Sequence, residues 1–96
     1  MTYIVARPAA DDIDDIADRI EQRDSAAALR LIESLHRVFQ LLGDNPYIGH
    51  RRPDLTSRPV RFWTALRRYA VIYDPGPPVT ILHVRDWRRD PATLLD

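Results

Sequence analysis

His83 lies at the centre of ILHVRDWRRDP, a stretch from Ile81 to Pro91 in which arginines and aspartates crowd around Trp87. Cleaving RNA at its 2′-hydroxyl takes a base for that proton, an acid for the leaving oxygen and cations on the phosphate. His83 with Arg61, Arg67 and Arg85 supplies those residue types. The competing reading is a half-exposed strand histidine that fills an interface, followed by a tail that grips a protein. As an active-site element RDWRRDP has no residue poised to titrate near neutrality. As a grip it is well suited, because Trp and Arg, here Trp87, Arg88 and Arg89, are the residues most often found at binding hot spots. Binding is the favoured reading, and no catalytic residue is assigned.

Other chemistries have weaker signals. Asp11, Asp14, Asp15 and Asp18 share one helical stripe and could in principle hold a hard cation. Such a run is more often a solvated face, aided here by an Asp15–Arg19 pair at i, i+4. His36, His50 and His83 show no metal-ligand spacing. NPYIGHRRP, with one glycine and two prolines, does not make a phosphate cradle of N–H groups. No metal and no cofactor are expected.

The elements that must position these residues can be read from periodicity. Thr2 to Ala6 reads as a first strand, and Pro8 suits the first turn of a helix. Ile13, Ile16, Ala17 and Ile20 then fall at i, i+3, i+4 and i+7, with aspartates in the N-terminal half where the helix dipole favours them. Ser25 is the expected N-cap of a second helix. Its buried stripe is Ala28, Leu31, Leu35, Val38, Phe39 and Leu42, and Gly43 with Asn45-Pro46 ends it. Residues 45–59 are proline-rich, polar and basic, which predicts a loop. Three strand candidates follow, Val60 to Thr64, Arg67 to Tyr73 and Val79 to Arg85, joined as an antiparallel meander.

The order is α+β, β-α-α-β-β-β. A helical hairpin on one face of an antiparallel four-stranded sheet is the economical packing, with a short C-terminal tail. Alternation places Ala70, Ile72, Leu82 and Val84 under the helices. It sends Arg61, Trp63, Arg67, Tyr69, Val71, Tyr73, Ile81, His83 and Arg85 to the other face. A face so aromatic and aliphatic implies a covering partner.

Bulk properties narrow the class. A chain of 96 residues is read as one domain, 1–96. At that size folding hides roughly 60–65% of the unfolded surface, enough for one core but not for a buried catalytic cleft. Cysteine is absent, so disulfides and thiolate metal sites are excluded. No apolar run approaches the ~18 residues of a membrane span, and the opening residues lack a signal-peptide layout. A cytoplasmic protein with no membrane partner is expected. The zero net charge hides an asymmetry: residues 1–48 hold five Arg against nine acids, −4, and residues 49–96 hold nine Arg against five acids, +4. All the basic residues are arginine, which favours planar, bidentate contacts with carboxylates or phosphates.

The order of elements and several short motifs resemble the ParE/RelE superfamily of toxins from bacterial type II toxin–antitoxin modules. The motifs are Pro8-Ala9-Ala10-x-Asp12-Ile13-x-x-Ile16, Pro46-x-x-Gly49-x-Arg51, RPVRFW from Arg58 to Trp63, Tyr69-x-Val71-Ile72-Tyr73, and Ile81-Leu82-His83-Val84 closing on Arg89-Asp90. The ParE branch, often described as plasmid stabilisation proteins, matches better than the RelE branch. The resemblance implies a toxin that poisons DNA gyrase and is neutralised by a ParD-like antitoxin, whose C-terminal segment wraps it. RelE-like relatives instead cut messenger RNA in the ribosome, and a degenerate toxin that only binds its antitoxin is the third option. The ParE pattern has Arg where this chain has His83 and His where it has Asp86, and a small residue where it has Trp87. Its last strand and tail are implicated in toxicity, the position of Trp87, Arg88, Arg89 and Asp90. RelE-like nucleases are typically strongly basic, whereas this chain has a pI near 6.8. The resemblance therefore implies binding rather than catalysis, with Arg61, Trp63, Arg67, Tyr69, Tyr73, His83, Arg85, Trp87, Arg88 and Arg89 as the contact set and no sequence-specific nucleic-acid binding.

Overall fold

The structure is a computed structural model and describes residues 3–88. Its elements are β1 (Tyr3–Val5), α1 (Arg7–Glu21), α2 (Ser25–Asp44), β2 (Arg61–Ala65), β3 (Tyr69–Asp74) and β4 (Val79–Asp86). The expected α+β order is the observed one. Among the described residues no helix is long and apolar enough to cross a membrane.

α1 starts with Pro8 in its first turn and buries Ala9, Ile13, Ile16 and Ala17. α2 buries Ala28, Leu31, Leu35, Phe39 and Leu42. Its cap is Asp24, one residue before the expected Ser25: the Asp24 carboxylate accepts the Ala27 N–H at 3.1 Å. A carboxylate at this position also meets the positive end of the helix dipole.

The sheet order is β1-β4-β3-β2. β2, β3 and β4 form the antiparallel meander, but β1 runs parallel to β4, Tyr3 opposite Val79 and Val5 opposite Ile81. The sheet is therefore mixed rather than antiparallel. Two helices after β1 return the chain to the far end of the sheet. Residues 45–60 then travel back before β2 begins, which restores the direction of β1. On that path His50 exchanges both backbone hydrogen bonds with Phe62 along the free edge of β2.

The faces are inverted relative to the sequence reading. Tyr69, Val71, Tyr73 and Ile81 lie under the helices, in one cluster with Ile13, Ile16, Leu35 and Phe39. Ala70 and Ile72 join Val60 and Phe62 in a second cluster on the opposite face, flanked by Leu55, Leu82 and Trp87. Both faces are apolar, so alternation alone could not choose between them. The larger side chains go where two helices can cover them. Val84 is in the helix-side cluster as expected, because the register shifts between Ile72, opposite His83, and Tyr73, opposite Ile81. One extra residue, Leu82, breaks the period of two, so Ile81 and Val84 share a face.

The β2–β3 turn is unusual. Arg68 N–H bonds Ala65 C=O at 3.1 Å, and the central residues Leu66 and Arg67 have φ of 56° and 59°. Two consecutive residues at positive φ are what a type I′ turn requires, where Asn-Gly is the common solution. A bulky L-residue held in that region costs roughly 1–2 kcal/mol.

Candidate protein-binding surface

Three sites hold sequence-selected residues, and a fourth is a pair outside that set. The first is a lock between the long loop and the sheet. Tyr73, 0% exposed, donates its hydroxyl proton to Pro46 C=O at 2.8 Å and accepts the Gly49 N–H at 2.9 Å. Burial pushes this hydroxyl above its ordinary range, outweighing the Gly49 N–H and the Arg61 charge, so it stays protonated and able to donate. Arg61 donates to Gly49 C=O at 2.8 Å and lies over the Tyr47 ring at 5.1 Å. Tyr73 and Arg61 thus fasten the Pro46-x-x-Gly49 motif. Tyr73 and Tyr69 belong to the core, not to an open face.

The second site is the edge of β4. β1 pairs only as far as Ile81, and beyond it the exposed strand edge is met by Asp12 of α1. Its carboxylate, 14% exposed, accepts the Val84 N–H at 3.0 Å, stands 3.2 Å from His83 Nδ1 and 3.5 Å from Arg85. Arg85 also lies 3.3 Å from His83 Nδ1. One ring nitrogen cannot donate to a carboxylate and accept from a guanidinium at the same time, so His83 serves one of the two at any moment. Arg85 Nε is enclosed without a hydrogen-bond partner. The sequence did carry a signal for Asp12. It lies off the solvent stripe of Asp11, Asp14, Asp15 and Asp18, at i+3 from Ala9 and four residues before Ile16, on the apolar side.

Trp87 forms the third. It folds back onto the second cluster, with Nε1 donating to Thr64 Oγ1 at 3.1 Å and N–H to Arg68 C=O at 3.0 Å. Its ring lies 6.2 Å from Phe62 and under Arg52 at 5.6 Å. Sequence reasoning missed Arg52, which also forms a bidentate pair with Asp54 at 2.8 and 3.0 Å. Trp63 packs half-buried against the helix-side cluster. Of the selected residues, Arg67 and Arg88 are exposed. Arg89, like Asp90, lies outside the described residues.

The fourth is the Arg68–Asp86 pair at the end of β4, 2.9 Å long. Burial raises the Asp86 carboxyl, but the Arg88 N–H, the Arg68 hydrogen bond and both arginine charges outweigh it, leaving it below the ordinary carboxylate range. A depressed folded value stabilises fully above the unfolded value and loses that contribution as pH falls through the folded one. Asp86→Asn should therefore melt below the parent chain near neutrality, with the gap closing below about pH 4. A gap unchanged down to about pH 3 would remove the pair from the stability of the fold.

Among the described residues no group of three His, Cys, Asp or Glu could hold a metal. His83 and Arg85 sit at the α1 edge of the sheet, whereas Arg61 sits on β2, beyond β3, and Arg67 in the β2–β3 turn. They do not converge on one phosphate.

The family model described as ParE toxin of type II toxin-antitoxin system, parDE, matches residues 3–91 of the chain. No curated protein matches it. Among solved structures, one described as the chromosomal ParDE TA system from P. aeruginosa is similar, with a TM-score of 0.74 at 22% identity. That likeness covers 90% of this chain and 95% of the other, and it shows a shared fold.

Proposed function

The chain belongs to the ParE toxin family of type II toxin–antitoxin systems, and from that premise we propose that it acts by binding. Its target in this reading is DNA gyrase in the cytoplasm, held on cleaved DNA so that replication stops. A ParD-like antitoxin neutralises it by covering the toxin surface. No residue of the chain performs catalysis.

The observation that carries this reading is the Asp12 cluster. Ribonuclease chemistry at His83 would need cations free to neutralise a phosphodiester. Arg85 is instead paired with Asp12, whose own charge stands beside His83 and repels a phosphate. Arg61 is bonded to the long loop on the other side of the sheet.

The test uses the purified chain with gyrase, ATP and supercoiled plasmid. Linear, gyrase-cleaved plasmid should accumulate. His83→Gln should retain that activity within about two- to threefold, as for other substitutions away from a critical contact. Loss of toxicity in His83→Gln at an unchanged melting temperature, with messenger RNA cut only when ribosomes are present, would replace gyrase poisoning by nuclease action.

A further inference from the structure

The end of α1, the α1–α2 turn, the β2–β3 hairpin and the end of β4 enclose a half-open cleft of about 460 Å3. Ile16, Ile20 and Tyr69 give it an apolar lining, and Arg19, Arg23 and Arg68 stand around it beside Asp24 and Asp86. The charges do not cancel. Arg68 holds Asp86 at 2.9 Å. Asp24 accepts the Ala27 N–H as the α2 cap, with Arg30 3.9 Å away. Arg19 and Arg23 make no ion pair with any carboxylate among the described residues, and the i, i+4 pair of Arg19 with Asp15 is not formed. The helix dipole accounts for one basic side chain at the end of α1. It does not account for two unpaired guanidiniums over an apolar floor.

A second observation comes from the same hairpin. Leu66 and Arg67, directly before Arg68 and Tyr69, hold positive φ although neither is glycine or asparagine. Leu66 is 48% exposed. Strain retained with exposed, bulky side chains places contact, not stability, at this tip.

We infer that the cleft and the Leu66–Arg67 tip form one docking site for an acidic, partly aliphatic segment of the antitoxin. A carboxylate of that segment pairs with Arg19 and Arg23, and a neighbouring aliphatic side chain sits on Ile16, Ile20 and Tyr69. The planar guanidinium fork matches a carboxylate bidentately. A nucleic-acid backbone calls for an extended basic track rather than two cations above an apolar floor. A cleft that accepts a segment side chain by side chain suits a partner that orders on binding. The inference rests on the reading that a protein antitoxin neutralises the chain.

Calorimetric titration of the full chain with the antitoxin encoded beside it provides the test. Arg19→Glu with Arg23→Glu should weaken binding about 100-fold, tenfold for each reversed charge, and should flatten its salt dependence. Both side chains are exposed, and Arg19→Gln with Arg23→Gln serves if the reversal lowers the melting temperature. Leu66→Asn with Arg67→Gly should raise the melting temperature by about 4–8 °C while weakening antitoxin binding about tenfold. Antitoxin affinity within about threefold of the parent in the charge variant would overturn the site, and the same result in the turn variant would overturn the role of the tip. Lost gyrase poisoning with intact antitoxin affinity would assign the surface to the target and overturn the inference as well. A parent chain that fails to poison gyrase defeats the gyrase reading whatever the titration gives. A parent that poisons gyrase, with variants that bind antitoxin normally, defeats only the docking site.

Discussion

Gly49→Ala is expected to cost about 3 kcal/mol and to lower the melting temperature by about 10–20 °C. A Cβ at Gly49 would stand 2.4 Å from the Tyr73 hydroxyl oxygen and 2.7 Å from Cε1 of the same ring. Tyr73 cannot step aside, because its ring is wholly buried beneath the helices. Overpacking contributes about 1–3 kcal/mol, and disturbing the two hydrogen bonds of the hydroxyl adds about 1 kcal/mol for each. Tyr73→Phe, which removes the oxygen alone, should cost about 1–2 kcal/mol. The double variant should be less destabilised than the sum of the two, because part of the clash goes with the oxygen. Urea unfolding of the four chains measures the cycle. Additive costs, or a Gly49→Ala cost below about 1 kcal/mol, would mean that the loop relaxes and the lock is not a lock.

The second large effect belongs to Asp12→Ala, expected at about 3 kcal/mol. The substitution strips an acceptor from the Val84 N–H and leaves His83 and Arg85 without their common carboxylate. Asp12→Asn keeps an oxygen for Val84 and should cost about half as much. Amide hydrogen exchange reads the site directly: the Val84 amide should be protected in the parent and in Asp12→Asn, and exchange far faster in Asp12→Ala. Equal protection in all three chains would show that the strand edge does not depend on α1.

The order of elements was legible because periods of 3.6 and 2 are strong in Ile13 to Ile20, in Ala28 to Leu42 and in the three C-terminal strands. Three things were not. The orientation of the sheet was hidden because Ala70 and Ile72 are as apolar as Val71, so the volume the helices must cover decided it. The direction of β1 was hidden because it depends on where a long loop travels, not on which residues form it. The extra residue at Leu82 leaves no mark in composition. Less of the candidate site was legible. Arg61, His83 and Arg85, read as contact residues, are each bonded within the chain, and an isolated sequence does not show that a charge has a partner. Trp87, read as part of a grip, folds back onto the second cluster. Arg23 passed unremarked, and Arg19 was read only as a partner for Asp15, because an arginine on a helix is ordinary until its neighbours are seen to be paired elsewhere.

The parallel pairing of β1 with β4 has a consequence for the timing of assembly. It joins Tyr3 to Val79, so closing this edge of the sheet brings together residues from near the two ends of the described chain. Non-local pairings of this kind carry a large loop-closure entropy and slow the approach to the native state. On the ribosome, at about 5–20 residues per second, the helical hairpin can form early, while β1 waits for Val79 to Ile81 to emerge. The Asp12 cluster waits with it, because its partners His83, Val84 and Arg85 come later still. A growing chain therefore has its hairpin well before its finished sheet.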